Sequence, residues 1–410
     1  MKRLFSLLLV AACLYACKPA ETPQFVRIDG HDLITPSGEK LLIKGTSLGN
    51  WLNPEGYMFG FSKTNSARFI NEMLCQLVGP DFTAEFWRQF KDSYITRDDI
   101  RFIASTGSNT IRLPFHYKLF TDEDYMGLTA AQDGFARIDS VVKWCRDEGL
   151  YLILDMHDAP GGQTGDNIDD SYGYPWLFES DESQALYGRI WRRIADYYKN
   201  EPVILGYELF NEPIAPYFGD TVQLLNSRLE EVYRMGTAAI REVDAHHIIL
   251  WGGAQWNGNF RPLSLSPADP QVMYTCHRYG GAPTPEAITH FINFRDSVNR
   301  PMYMGEIGHN SNEWMAEFCR TMETNNIGWT FWPYKKINAS SFAGITPPEN
   351  WNTIVAFSEA PRTTYKEIRD ARPDMAAARK ALTDFIKACR FENNVIHTGY
   401  IEALGLRTAN

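Results

Sequence analysis

The chain lacks most of the features that would place it in a specialised class. Past the first 16 residues no stretch of about 18 apolar residues occurs, so no helix of the body is expected to cross a membrane. Basic residues are in deficit, 40 Lys and Arg against 50 Asp and Glu, a formal charge of −10 that argues against nucleic acid as a partner. Cysteine is sparse, with seven at positions 13, 17, 75, 145, 276, 319 and 389. Five lie beyond residue 17, widely spaced, and buried thiols are expected rather than a disulfide framework, with a single bridge left open. No His-x-His cluster or lysine closes an apolar run, although Lys335 and Lys336 lie just past the last one, so Schiff-base and metal-dependent chemistry are disfavoured. Neither a cofactor nor a metal is expected. No repeat or low-complexity linker marks an added module.

What is present begins with a leader. Lys2 and Arg3 precede an apolar run from Leu4 to Leu14, too short to span a bilayer as a helix, which reads as a signal sequence over residues 1–16. Leu14-Tyr15-Ala16-Cys17 resembles the bacterial lipoprotein cleavage box, which would make Cys17 the lipidated first residue of the mature protein. Residues 17–24 then form a tether and 25–410 the globular domain. The expected location is the outer membrane of a Gram-negative bacterium, on its periplasmic face or at the cell surface, with the lipid as the only membrane contact and a monomer as the unit. Loss of Lys2 and Arg3 takes the charge from −10 to −12, and 13% aromatic residues suit a neutral, sugar-like partner whose C–H faces pack on rings.

Between Leu41 and Tyr334 eight short β-rich runs alternate with helical patterns: LLIKGTSLG, NTIRLPF, YLILDMH, VILGYELFNEP, HIILWGG, VMYTCHRY, PMYMGEIG and IGWTFWPY. Eight parallel strands with covering helices give a (β/α)8 barrel. One helical stripe is predicted at Tyr187, Ile190, Trp191, Ile194, Tyr197 and Tyr198, and another at Leu229, Val232, Tyr233, Gly236, Ile240 and Val243. Only 18 residues, Ala254 to Gln271, separate the fifth and sixth runs, so little helix fits there. A hairpin turning at Asp29-Gly30 is expected to plug the barrel floor, and Met375 to Cys389 reads as a closing helix.

In this architecture the active site lies where the strands end. Arg112, His157, Asn211, Glu212, His277, Tyr279, Glu306 and Trp332 all close apolar runs. Glu212 and Glu306, at the ends of strands four and seven, sit on nearly opposite walls of the mouth, which suits two carboxyls flanking a glycosidic bond. One must hold a proton for the leaving oxygen and the other must be ionised to attack, so burial around the first and donors around the second are required. Arg112, His277 and Tyr279 are candidate donors. Glu208, four residues before Glu212, alternates inward and is expected in a buried ion pair.

The string GYELFNEP resembles the Asn-Glu-Pro signature of glycoside hydrolase family 5, within the clan of retaining (β/α)8 hydrolases. The resemblance implies Glu212 as acid/base, Asn211 as donor to the sugar 2-hydroxyl and Glu306, in MYMGEIG, as nucleophile. It extends to Arg112, His157 in LDMHDAPGG, His277 and Tyr279 in CHRY, and Trp332 in WTFWPYK as substrate-binding positions. LGNWLNPEGYM and DMHDAPGGQTG are similar to exo-acting β-1,3-glucanases, which would make Glu55 a grip on the terminal sugar. Ile307 departs from that type, which carries an aromatic residue after the nucleophile. The implied function is retaining hydrolysis of a polysaccharide or oligosaccharide, a β-glucan cut from its end. The alternatives are an endo-acting cellulase or mannanase of the same family and an inactive glycan-binding lipoprotein.

Long segments at 50–108 and after strand three would wall the cleft, with Trp51, Tyr57, Tyr172, Tyr174 and Trp176 as candidate wall aromatics. Trp256, after strand five, is the further candidate platform. Asp166, Asn167, Asp169 and Asp170 lack the spacing of a calcium hand, and His246-His247 reads as surface.

Overall fold

The computed structural model describes residues 25–127, 131–267, 269–337 and 340–408, so the leader, Cys17 and the tether lie outside the described residues. The eight runs form β1 (Lys44–Ser47), β2 (Thr110–His116), β3 (Tyr151–Asp158), β4 (Ile204–Glu208), β5 (Ile248–Gly252), β6 (Val272–His277), β7 (Met302–Ile307) and β8 (Gly328–Phe331). They close into a barrel with β8 beside β1, every pair parallel. Register places the future site: Asp155 lies opposite Glu208, and Glu306 opposite His277. The β6–β7 ladder slips between Met304 and Glu306. Gly305 sits in that slip, where a Cβ would stand 2.4 Å from Thr275 Oγ1 and 2.9 Å from His277 Nε2, so only glycine lets β7 approach β6 closely enough to aim Glu306 inward.

The N-terminal hairpin, Arg27–Asp29 with Asp32–Ile34, packs Val26 and Leu33 against Ile43, Ile153, Leu205, Ile248 and Met273 at the barrel floor, as expected of a plug. Helix Asp181–Tyr198 starts where the Ser180 hydroxyl accepts the Ser183 N–H, and buries Tyr187, Ile190, Trp191, Ile194 and Tyr198. Tyr197 of the predicted stripe is 55% exposed, at the edge of the buried ridge. The fifth unit holds one turn, Ala254–Asn257, in which Gln255, Trp256 and Asn257 all have left-handed φ. The five described cysteines are free, four of them buried. No helix among the described residues is long and apolar enough to cross a membrane.

Helix Met375–Ala388 does not cap the barrel itself. Phe385 stacks on Trp351 and packs on Phe90 and Phe59, completing a second layer outside the strands. A buried polar pin joins that layer to the site: Lys335 Nζ meets Asp99 at 2.5 Å and donates to the carbonyls of Tyr94 (2.8 Å) and Cys389 (2.9 Å). Asp99 also accepts from Tyr334, so four contacts made by Tyr334 and Lys335 fix the chain just after Trp332, and the same carboxylate caps helix Arg97–Ser105 through Thr96. His247 corrects the surface reading of its pair. Asp244 holds its Nδ1 at 2.5 Å and the Glu201 carbonyl its Nε2 at 3.0 Å, and it is fully buried while His246 is exposed.

Candidate active site

A fully buried cation organises the centre of the barrel mouth. Arg112 donates through Nε and Nη2 to the two oxygens of Glu208 (2.9 and 2.8 Å), through Nη1 to Glu306 Oε1 (2.6 Å), and through Nη2 to Asn211 Oδ1 (2.8 Å). Asp155 Oδ2 lies 2.9 Å from the same Nη2. Glu208 is thus in the expected buried pair, braced further by the Tyr303 hydroxyl at 2.9 Å. Burial pushes Asp155 up to about 7 in spite of Arg112.

From Arg112 a chain of side chains runs outward. Asn211 Nδ2 reaches His157 Nε2 at 3.2 Å, and His157 Nδ1 reaches Asp155 Oδ2 at 2.7 Å. Burial lowers His157 to about 3, so the ring is neutral and its proton sits on Nδ1, donated to Asp155, while Nε2 accepts from Asn211. Both ring nitrogens are therefore engaged within the protein. His157 lies flat against Trp332, centroids 5.1 Å apart and planes 1° apart, and acts on the cavity through Asn211 and Trp332. Trp332 in turn donates Nε1–H to the Tyr57 hydroxyl (2.8 Å). Gly49 makes room for that indole, since a Cβ there would stand 2.9 Å from its Cη2.

Glu212 is placed differently. β4 ends at Glu208, and Glu212 occupies an irregular segment beyond it with φ of 42°. Two residues of the β3–helix loop hold that backbone: Gln163 donates to the Asn211 carbonyl (2.8 Å) and Thr164 to the Glu212 carbonyl (2.7 Å), while Gln163 also donates to the His157 carbonyl (2.8 Å). A left-handed non-glycine residue is costly, by about 1 to 3 kcal/mol, and persists because these bonds over-determine it. The Glu212 side chain is partly buried, and its Oε1 meets His277 Nδ1 at 2.8 Å. Asn257 Nδ2 approaches His277 Nε2 at 3.1 Å, which makes Nε2 the acceptor and leaves Nδ1–H to donate to Glu212. Desolvation raises Glu212 to about 7, Arg112 opposing and Glu208 and Asp166 adding to the shift.

Glu306 receives two donors, Arg112 Nη1 on Oε1 and the Tyr279 hydroxyl on Oε2 at 2.5 Å. Ligand atoms of Glu212, His277 and Glu306 all lie within 4.8 Å of one another, and among the described residues no other group of three could hold a metal ion. Such a carboxyl pair, one held for a proton and one supplied with donors, can serve acid/base and nucleophilic work in turn.

A cavity of about 250 Å³ opens above the pair, lined by Glu55, Tyr57, His157, Ile168, Asn211, Glu212, Tyr279, Glu306, His309 and Trp332. Every sequence-predicted site residue except Arg112, Trp256 and His277 lines it. Arg112 and His277 stand one contact behind, on Glu306 and Glu212. Trp256 is not brought into the cavity: it is 39% exposed on its strained turn, edge-on to Tyr217 at 6.0 Å. Of the five wall aromatics, only Tyr57 reaches the cavity. Trp51 is core, its Nε1 bonded to the Lys91 carbonyl, Tyr172 is 75% exposed with its ring on Arg68, and Tyr174 and Trp176 pack on each other. The Asp166–Asp170 segment holds itself: Asp169 accepts the N–H groups of Thr164, Gly165, Asp166 and Ser171.

Sequence reasoning did not place Ile168, in the single turn Asn167–Asp169, His309, or Lys336, in the short strand Lys335–Ile337, at the site. Ile307, the departure noted after Glu306, is fully buried, and the wall beyond Glu306 is made instead by His309, stacked on Tyr279 at 5.6 Å. Only its place two residues past a strand end could have hinted at it.

The chain matches the family model Cellulase (glycosyl hydrolase family 5) over residues 71–338. A β-xylosidase of Phanerodontia chrysosporium is 30% identical over 239 residues, covering 58% of this chain and 48% of that protein. Endoglucanase C of Acetivibrio thermocellus is 31% identical over 251 residues, covering 59% and 68%. A glucan 1,3-β-glucosidase of Lachancea kluyveri is 27% identical over 254 residues, covering 58% and 56%. The matched region thus spans about half the length of the first and third of these relatives. Among solved structures, endogalactoceramidase superposes with a TM-score of 0.60 at 17% identity, covering 93% of this chain and 84% of that one. A rutinosidase from Aspergillus niger gives 0.59 at 16%, covering 73% and 92%. At these identities the two superpositions bear on the fold alone.

Proposed function

Because the chain belongs to glycosyl hydrolase family 5 and is a glycoside hydrolase, we propose that it cleaves β-glucan chains from the end by double displacement, with Glu306 as nucleophile and Glu212 as acid/base. The observation that carries this reading is the closeness of the pair, whose ligand atoms fall within 4.8 Å. Retaining enzymes hold their carboxyls at roughly 5 to 5.5 Å, whereas inverting ones leave about 6.5 to 9.5 Å for a water.

In the first step the Glu306 carboxylate attacks the anomeric carbon while Glu212 gives its proton to the departing glycosidic oxygen. The bond to the leaving sugar breaks and a glycosyl ester on Glu306 forms. Glu212, now a carboxylate, then takes a proton from water. The hydroxide equivalent attacks the same carbon, Glu306 leaves, and configuration is retained. Asn211, with one amide hydrogen on His157 and the other free to face the cavity, suits the sugar 2-hydroxyl. Trp332 offers the sugar floor, and Trp256 with Tyr217 an exposed surface for the leaving group beside the loop of Glu212, to which Gln255 is tied through the Ile214 carbonyl.

What supports end-on cleavage is the tie between the two loops that wall one side. Asn53 donates to the Ile168 carbonyl (3.5 Å), and the Arg68 N–H to Asp170 (2.9 Å). Product profiling on a long β-1,3-glucan and on mixed-linkage glucan tests it: a single small sugar from the first time point is expected, and an early ladder of mixed oligosaccharides would overturn the exo reading.

Glu212→Ala is expected to lower kcat/KM on unactivated glucan by roughly 10³-fold and on a dinitrophenyl glycoside by about tenfold or less in glycosylation, since a good leaving group needs no proton. The alkaline limb of kcat/KM in the unaltered enzyme should fall near pH 7, because activity needs Glu212 protonated and its pKa is raised to about 7. Equal losses on both substrates, or an alkaline limb unchanged in the variant, would remove Glu212 from the acid role.

A further inference from the structure

Glu55 lines one end of the cavity and Lys336 stands against the His309 and Tyr57 side chains of its wall, and the described residues leave both groups incompletely hydrogen-bonded. The Glu55 carboxyl takes no hydrogen bond among the described residues, and its Oε1 is buried without a partner; only its backbone is engaged, the N–H by Asn50 Oδ1 at 3.1 Å and the carbonyl by the Met58 N–H at 3.1 Å. Burial, then Glu306 and Glu212, lift its pKa well above the usual range, with Lys336 opposing. Lys336 is 5% exposed, and its Nζ has a single hydrogen-bond partner among the described residues, His309 Nδ1 at 3.2 Å, with the Tyr57 ring centroid 5.4 Å away. An ammonium has three hydrogens to donate, so two remain. Burial lowers its pKa to about 8, Glu55 pulling the other way, so it is charged at neutral pH. Glu55 and Lys336 feel each other's charge yet make no ion pair among the described residues. A buried carboxyl with an unpartnered oxygen and a buried ammonium with unspent donors are expensive unless a ligand fills the gap.

We propose that Lys336, seated on His309, is a specificity-determining residue that with Glu55 brackets adjacent hydroxyls of the non-reducing terminal sugar. A hydroxyl both donates and accepts, so one placed between the two groups satisfies both at once: it donates to Glu55 and accepts from Lys336. A neighbouring hydroxyl takes the remaining ammonium hydrogen or the Tyr57 oxygen side of the wall. His309 orients the amine through Nδ1 and closes the pocket against Tyr279 and Tyr57, centroids 5.6 and 5.8 Å away. The inference rests on the end-acting hydrolase reading, because it needs a terminal ring in this cavity.

The experiment is a cycle between protein and substrate. Full-length enzyme and Lys336→Met are assayed on 4-nitrophenyl β-glucoside and on its singly deoxygenated 3-, 4- and 6-analogues. The unaltered enzyme should lose roughly 10- to 100-fold in kcat/KM on at least one analogue, the size of a hydrogen bond to a charged group. Lys336→Met should lose a similar factor on the parent, mostly in KM, and then discriminate no further against that analogue. Lys336→Arg, which keeps the charge but moves the donors, must show the same collapse of discrimination and serves if the Met variant fails to fold. Penalties that simply multiply in both variants overturn the bracket while leaving the hydrolase intact. Absence of turnover of every glycoside and glucan by the unaltered enzyme overturns both.

Discussion

Glu306→Ala is expected to reduce turnover of an aryl β-glycoside on the order of 10⁴-fold, equivalent to about 5.4 kcal/mol of lost transition-state stabilisation, and azide is expected to restore a measurable part. With the carboxylate gone, Arg112 Nη1 and the Tyr279 hydroxyl lose their shared acceptor, and the space between them suits a small anion. Azide there attacks the face that Glu306 would have attacked, and no second displacement follows, so the product is the α-glycosyl azide. Its anomeric configuration is read by proton NMR. The variant should also fold at least as stably as the parent, because Arg112 keeps Glu208 and Asp155 while one buried negative charge disappears. Full activity in the variant, or rescue with retained configuration, would remove Glu306 from the nucleophile's role.

Arg112→Met should be the most destabilising single change in the barrel mouth. It leaves Asp155, Glu208 and Glu306 without their common cation, and breaking a buried pair in this way costs about 3 to 5 kcal/mol. Urea denaturation measures it as a lower midpoint with an unchanged slope. The sign of its pH dependence follows from linkage. Orphaned buried carboxyls bind protons more tightly folded than unfolded, so the variant's stability falls as pH rises above the ordinary carboxylate range near about 4. The deficit relative to the parent should therefore shrink toward pH 4 and be full at pH 8. Lys in place of Arg keeps one charge but not the fork that serves Glu208 and Glu306 together, and is expected to recover only part of the loss. A variant as stable as the parent at pH 8 would refute the organising role given to Arg112.

The barrel was legible because its strands are regular. Alternation in extended chain decides which side chains face inward, so Arg112, Glu208 and Glu306 could be assigned from pattern and found around one point. Glu212 was legible as a carboxyl closing the fourth run, but its left-handed backbone lies beyond the strand, where a period of two no longer predicts direction, and its acid/base role came from the resemblance. Loops defeat the same reasoning more fully. Trp51 and Tyr57 stand six residues apart in one segment, yet one is core and the other wall, because the first finds a carbonyl on a helix that sequence distance does not reveal. Trp256 failed for a related reason, its own left-handed backbone and those of Gln255 and Asn257 turning it outward. His247 was misplaced because only the fold brings the Glu201 carbonyl to its Nε2, opposite the local Asp244. Lys336 offered no periodic signal at all, and its meaning depends on Glu55, nearly the whole barrel away in sequence.

The Lys335 pin has a bearing on anyone wishing to recombine this scaffold. Trp332, proposed as the sugar floor, and Lys336, proposed as the polar end, flank a stretch anchored to helices that precede the second strand and to the chain's C-terminal region. Loop swapping between related hydrolases treats the segment after the eighth strand as an interchangeable part. Here it is not one: a donor loop lacking the lysine, or a recipient lacking Asp99, would install the new floor on an unanchored footing. The transplantable unit is the segment together with its distant foundations, and a shortened barrel trimmed of its outer helices should lose substrate selection before it loses its strands.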